Sequence, residues 1–296
     1  MRRYNLPLIL GLVVLAGIGV TLLLPLFVHL DPQATHVFLQ DGDLLRHSPT
    51  PPGVGGYLLG TDEFGRDLLA RVIYGARLTL PIALAIGLLR ALLAIPVGLI
   101  AGWRGGWAAR FTNLFASSIS ALPVTILAIF LFKSLAVWFV GQFLVLYLTI
   151  MVLIGAPRLA EQVRRLTAEV KMQPYIESAV AAGTPTGRIL FRHVLPVIQG
   201  DLAITMAAEL AWVLILMGQM AIFGVMVVPF RQVTIEGIPY PVNMDLTPEW
   251  GTLLGLSRRI FRSSPWIPFA GAIAIGVTVA SLQLIAEGLR RRWLHR

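Results

Sequence analysis

Six stretches of about 20 mostly apolar residues run through this chain, and no other feature limits its fold as severely. They are Leu6–Val28, Leu78–Ala101, Phe111–Phe132, Leu135–Ala156, Val197–Val228 and Trp266–Ala286. A helix of that length crosses the ~30 Å hydrocarbon core of a bilayer with its backbone hydrogen bonds satisfied internally. A soluble domain carries about 25% charged residues, whereas 13% of these 296 residues are charged and 56% are hydrophobic. Lipid accounts for the missing charge, so the expected fold class is an all-α polytopic membrane protein, one transmembrane domain over residues 1–296. The fifth stretch is long enough to tilt or to begin outside the bilayer. Lys133-Ser134 is a thin divider, which predicts a tight hairpin of the third and fourth spans. Met1-Arg-Arg before Leu6–Val28 imitates a signal peptide. Its apolar run exceeds the usual h-region of about 7–15 residues and no small-x-small site follows, so it reads as a retained first span.

Arginine placement gives an orientation. Arg2 and Arg3 precede the first span, and Arg290, Arg291, Arg292 and Arg296 follow the last. An even number of spans puts both termini on one side, expected to be the cytoplasm. The loops Trp103–Arg110 and Pro157–Pro196 share that side, the latter with Arg158, Arg164, Arg165, Lys171, Arg188 and Arg192. Outside lie His29–Arg77 and Pro229–Pro265, where Asp31, Asp41, Asp43, Asp62, Glu63 and Asp67 balance the arginines; Arg258, Arg259 and Arg262 depart from the pattern. The net charge of +9 is therefore read as retained positive charge at span ends rather than as a nucleic-acid surface.

Two loops carry structure. In the outer loop, Leu68, Leu69, Val72 and Ile73 share one face, Asp67 and Arg71 form an i,i+4 pair on another, and Thr61 or Asp62 is placed to start a helix. An amphipathic helix over 62–74, lying on the membrane surface, is expected. In the inner loop, the segment 173–196 reads as two short helices bent around Gly183, with Thr184 as a cap and Pro185 in the following first turn. A knob of that shape on the cytoplasmic side is a docking element. Trp103, Trp107, Trp250 and Trp266 flank spans and read as interfacial anchors.

Much chemistry is excluded. There is no cysteine and hence no disulfide, thiol catalysis or Cys-based metal site. No Gly-Lys pair exists to build a phosphate-binding loop. The five histidines form no H-E-x-x-H, and Gly255-Leu-Ser-Arg-Arg fails the G-x-S-x-G pattern at its last position. If the chain does active work, another subunit supplies the energy.

Three stretches together resemble one family: Leu59-Gly-Thr-Asp-Glu-Phe-Gly-Arg-Asp67 with its continuation to Arg77, Glu177-Ser-Ala-Val-Ala-Ala-Gly183 running on to His193-Val-Leu-Pro196, and Pro248-Glu-Trp-Gly-Thr-Leu-Leu254 with Ser264-Pro-Trp266. They resemble the permease subunits of ATP-binding-cassette importers of the peptide/nickel class, and the likeness to the dipeptide/oligopeptide C-type permease covers nearly the whole chain. The resemblance implies a type I importer permease fold in a bacterial or archaeal plasma membrane. It implies a second homologous permease, two cytoplasmic ATPases that bind ATP and Mg, and an external solute-binding protein, with no cofactor or metal in this chain. By the same resemblance Glu177, Ala179, Gly183 and Pro196 belong to a coupling helix that seats in an ATPase groove, and Gly60, Thr61, Asp62, Gly65, Arg66 and Asp67 form the outer motif. The sequence departs from the family pattern at Ala70, at Val197, at Gly218-Gln-Met-Ala-Ile-Phe-Gly224 and in a longer outer segment Val225–Thr247. The cargo implied is a peptide or peptide-like solute; a nickel or other metal chelate is the alternative. A secondary transporter or a membrane-embedded enzyme are the readings from other classes, and neither repeated broken helices nor a nucleophile–base motif is present to support them.

Arg90 and Glu209 are the candidate pathway residues. A charge in the middle of the second span costs several kcal/mol or more unless it faces water or a partner. Arg90 either lines the translocation path and attracts a solute carboxylate, or it pairs with an acid such as Glu209. Asp201 lies two turns from Glu209 on roughly the same face. Asp62, Arg66 and Asp67 either contact the binding protein or brace the outer gate.

Overall fold

The computed structural model describes residues 5–27, 31–41, 44–139, 141–228, 231–234, 242–245, 247–255 and 260–294. Five helices among them are long and apolar enough to cross a membrane, and six if one sharply bent pair counts as a single span. They are α1 (Leu6–Phe27), α2 (Leu68–Arg104), the bent pair α3 (Gly106–Ser120) and α4 (Val124–Ala136), α5 (Phe143–Lys171), α8 (Leu195–Ile222) and the last helix, Trp266–Leu294. Between α5 and α8 lie α6 (Pro174–Ala181) and α7 (Thr186–Ile189). A short helix, α9 (Trp250–Gly255), precedes the last one. Two small antiparallel hairpins, Phe38–Asp41 with Leu44–His47 and Arg231–Val233 with Val242–Met244, add strands that an all-α reading omits.

Several expected boundaries move. No separate outer helix occupies 62–74. The helix starts at Leu68, capped by the Asp67 carboxylate accepting from the Leu69 N–H at 3.0 Å, and runs 37 residues without a break. At 1.5 Å per residue that is about 55 Å, far more than the hydrocarbon thickness, so the expected surface helix and the second span are one rod that projects beyond the bilayer. Pro81 and Pro96 lie inside it; in a bundle, neighbouring helices re-satisfy the carbonyls a proline frees. The third span is not one helix. It turns by 88° between Ser120 and Val124, where Pro123 denies continuation and disfavours the helical conformation at Leu122. Lys133 and Ser134 lie within α4 and divide nothing; the break comes after Ala136. The fourth span starts at Phe143 and continues through Pro157 to Lys171, so residues first assigned to a loop stand on a rigid helix. Likewise helical structure is continuous from Thr186 to Ile222, passing through a π-turn stretch at Leu190–Val194.

The main core lies where α2, α5 and α8 meet, built on Ile86, Tyr147, Ile150, Met151, Leu214 and Met217. A second core, including Leu99, Leu159, Val163, Ile176, Ile189 and Ile198, joins one end of these helices to α6 and α7. Trp250 belongs to the first core rather than to an interface. It is 3% exposed, and its Nε1 donates to the Val72 carbonyl at 2.8 Å. Trp266 reaches the Thr61 carbonyl at 3.3 Å, and Trp103 lies beneath the Lys171 ammonium. Trp107 is 81% exposed. Arg2, Arg3, Arg258, Arg259 and Arg296, on which the charge-based orientation draws, lie outside the described residues, as do residues 229–230, 235–241 and 246 of the long segment Val225–Thr247.

Candidate functional site

Three constellations hold the polar residues that the sequence singles out. The first is at the end of the molecule where α2 begins. Gly60 and Gly65, at φ +77° and +76°, supply the left-handed turns that fold Thr61–Asp67 back on itself. Asp62 closes the loop: Oδ1 accepts from the N–H groups of Phe64 and Arg66 at 2.9 and 3.0 Å, while Oδ2 accepts from Arg66 Nε at 2.7 Å. Arg66 then reaches across 179 residues to Asp245, donating Nη2 to Oδ1 at 2.8 Å and Nη1 to the main-chain carbonyl at 2.9 Å. Arg71 donates to the other Asp245 oxygen and lies 3.6 Å from Asp62, so it pairs with these two carboxylates and not with Asp67. Arg66, Arg71 and Asp62 have no exposed surface, and Asp245 has 1%. Burial works against the Asp245 carboxylate, but Arg71 and Arg66 outweigh it and hold its pKa below the usual range. Two cations and two anions sealed from water brace this end; none presents a face to a macromolecular partner.

Glu249 lies next to this brace and behaves oppositely. It is 2% exposed, its carboxylate accepts from the Val227 and Val228 N–H groups, and Oε2 has no hydrogen-bond partner. Burial first, with Asp245 adding repulsion, pushes its pKa from 4.5 up to about 7. A raised folded-state value means the protonated form is the one the fold favours. Stability is full below pH 4.5, declines as pH rises, and has lost its share above about 7, a span of about 3 kcal/mol. Glu249→Gln should therefore be more heat-resistant than the parent at pH 8 and equal to it at pH 4.5. Equal thermal midpoints at both pH values would show that the carboxyl is not the titrating group.

The second constellation is inside the bundle. Arg90 on α2, with no exposed surface, donates Nε and Nη2 to the Met151 carbonyl at 3.0 and 2.6 Å and Nη1 to Glu209 Oε2 at 3.1 Å. Access to a helix carbonyl requires a gap in the side-chain layer, and Gly155, one turn on, provides it. A Cβ there would fall inside the guanidinium. The other Glu209 oxygen accepts from Arg158 Nη2 at 2.8 Å, and both guanidiniums sit over the Trp212 rings, at 5.0 Å for Arg90 and 4.3 Å for Arg158. Of the two alternatives for Arg90, this structure has the pair with Glu209. Arg158, which the sequence offers only as one of the arginines of the segment Pro157–Pro196, is the member of the cluster that meets solvent, at 46% exposure.

The third constellation is the knob formed by α6 and α7. Helix α6 ends at Ala181 with Ala182 as its C-cap, Gly183 follows at φ +75°, its N–H donates to the Val180 carbonyl at 2.9 Å and the Thr184 N–H donates to the Ala179 carbonyl at 3.1 Å. That pair of bonds is a Schellman turn, and its positive φ is what calls for glycine. Thr184 makes no side-chain cap; Pro185 holds the position before α7. Ile176, Ile189, Leu190 and Val194 anchor the knob in the second core. Glu177, Gly183 and Pro196 are exposed and Ala179 is half-buried. Around them Met172, Tyr175, Val180 and Phe191 are 46–78% exposed. These apolar side chains escaped the motif-based reading, although their outward spacing on short helices is visible in the sequence.

Comparison with known proteins bears on these features together. The family described as "binding-protein-dependent transport system inner membrane component" matches residues 94–295. A putative peptide transport system permease protein of Brucella suis biovar 1 is 29% identical over 292 residues, covering 98% of this chain and 86% of its own. The dipeptide transport system permease protein DppC of Alkalihalophilus pseudofirmus is 30% identical over 232 residues, covering 78% and 69%. The glutathione transport system permease protein GsiD of Pectobacterium atrosepticum is 27% identical over 250 residues, covering 84% and 75%. With the match covering more than half of the chain, including Arg158, Glu209 and the knob, this chain belongs to the family of binding-protein-dependent transport system inner membrane components.

Proposed function

We propose that this chain is a permease subunit of an ATP-driven importer for peptides or peptide-like solutes. It forms the translocation pathway with a second, homologous permease and carries no chemistry of its own. Two cytoplasmic ATPases bind ATP and Mg and supply the work, and an external solute-binding protein delivers the cargo. Both termini and the knob lie in the cytoplasm; the Asp62–Asp245 brace lies outside. The relatives' names support the cargo class. The observation that carries the mechanism is the knob: a rigid glycine turn, anchored by buried isoleucines, with an exposed apolar and acidic tip. Exposed apolar side chains on a segment outside the lipid mark a protein contact. A short rigid lever transmits a push from an ATPase, whereas a flexible loop dissipates it. Glu177, Ala179, Gly183 and Pro196 are assigned to that coupling surface, and Gly60, Thr61, Asp62, Gly65, Arg66 and Asp67 to the outer brace.

One set of variants tests both placement and coupling. With no native cysteine in the chain, an impermeant thiol reagent should label Gly56→Cys in intact cells and Gly187→Cys only in opened ones. Gly183→Val forces a branched residue into positive φ, at a cost of roughly 1–2 kcal/mol, and Glu177→Arg reverses the charge of the tip. Both complexes should assemble and bind the solute-binding protein, yet lose uptake and stimulated ATPase activity at least tenfold. Wild-type uptake in both would remove this segment from the coupling role.

A further inference from the structure

Helix α3 has two unlike faces. Phe111, Leu114 and Phe115 are 50–64% exposed on one, while Asn113, Ser117 and Ser120 lie on the other. The polar face, with Arg158, Glu161, Gln162 and Arg165 of α5, lines a cavity of about 520 Å³. Arg158 stands 13 residues before the end of α5, about 20 Å along the axis, so the cavity occupies the inner half of the bundle. A lining of this kind at that depth cannot face hydrocarbon and has to face water or a polar solute.

The charges around it do not cancel. Glu161 is occupied by Arg164, at 2.7 and 2.8 Å, and by Arg165 at 3.0 Å. Glu209 is shared by Arg90 and Arg158. Four guanidiniums against two carboxylates leave an excess of two positive charges. Arg90 is sealed away, whereas Arg158 is 46% exposed and its plane rests on Trp212 at 4.3 Å. Stacking on an indole fixes a guanidinium's orientation, and its planar fork matches a carboxylate bidentately.

We propose that Arg158, at the mouth of the polar cavity between α3 and α5, is the cation that takes the carboxylate of the passing solute. It does so by exchanging part of its pairing with Glu209 for the solute's terminal carboxylate. This assignment rests on the peptide-permease reading for its ligand class but is tested apart from it.

Ser117 lines the same cavity and is exposed, so Ser117→Cys in the cysteine-free chain reports the local charge. In the purified full complex, an anionic sulfonatoethyl thiosulfonate should label it faster than the cationic aminoethyl analogue. Adding Arg158→Gln should lower that rate ratio at least fivefold, and Arg158→Lys should retain most of it. A free-acid tripeptide at millimolar concentration should slow labelling with Arg158 present, its C-terminal amide should not, and neither should act on the Arg158→Gln complex. An unchanged rate ratio in an assembled Arg158→Gln complex, or equal protection by acid and amide, would overturn the proposal. Acid-specific protection without peptide uptake by the wild-type complex would keep the carboxylate site and refute the peptide-transport reading instead.

Discussion

Replacing Asp245 by alanine should unseat the end of the molecule where α2 begins, because it strands two fully buried arginines at once. Arg66 and Arg71 both donate to this one carboxylate, and Thr252 Oγ1 adds a third bond at 3.0 Å. Removing one side of a buried pair costs about 3–5 kcal/mol, since the partner charge stays desolvated without compensation. Asp62 retains its contacts to both arginines, so the remaining cluster carries two positive charges against one negative. Asp245→Asn keeps a hydrogen-bond acceptor but not the charge and should fall between. The measurement is the thermal midpoint of the detergent-purified complex together with the yield of assembled complex. A midpoint within a degree or two of wild type for Asp245→Ala would mean that the brace contributes nothing measurable. The pH sign agrees with this role. A depressed carboxylate pKa gives stability that is held above the ordinary aspartate range and lost only as pH falls below it.

That brace shows where sequence reading succeeds and where it stops. Apolar run length identified a membrane bundle because hydrocarbon thickness leaves few other solutions. Gly183 was legible because a helix ending in a polar break needs a left-handed residue. Asp62 and Arg66 were legible as a compact motif, but their partner Asp245 sits in a long outer segment with no periodicity, 179 residues from Arg66. No local pattern announces a contact at that separation. Helix ends failed for a different reason. Hydropathy sees only the apolar run, while helices continue for as long as packing supports them, as α2 does before Leu78 and α5 after Ala156. That is why Arg158, just beyond the apolar run, reads as a loop residue. The broken third span was hidden because a proline inside an apolar run reads equally as a tolerated kink or as a full break, and only the neighbours decide.

Glu209→Met should be more damaging than Arg90→Met, although the two residues are partners. Without Glu209, Arg90 keeps only the Met151 carbonyl and remains a charge with no exposed surface; a loss of about 3–5 kcal/mol is expected. Without Arg90, Glu209 still holds Arg158 at 2.8 Å, and methionine fills much of the vacated stem, so the loss should stay within about 2 kcal/mol. The double variant Arg90→Met/Glu209→Met leaves no sealed charge and should recover most of the Glu209→Met loss, giving a coupling term of at least about 2 kcal/mol in the cycle. Assembly and thermal midpoint read the stability arm; peptide uptake reads the other. Arg90 touches no solute in this arrangement, so the assembled Arg90→Met complex should keep most of its uptake. Should that variant assemble at wild-type stability yet lose uptake tenfold, Arg90 would return to the translocation path and the brace reading would fall. The same outcome would require the bundle to open at Gly155 during transport, because the guanidinium now lies flat against that backbone with no route to water.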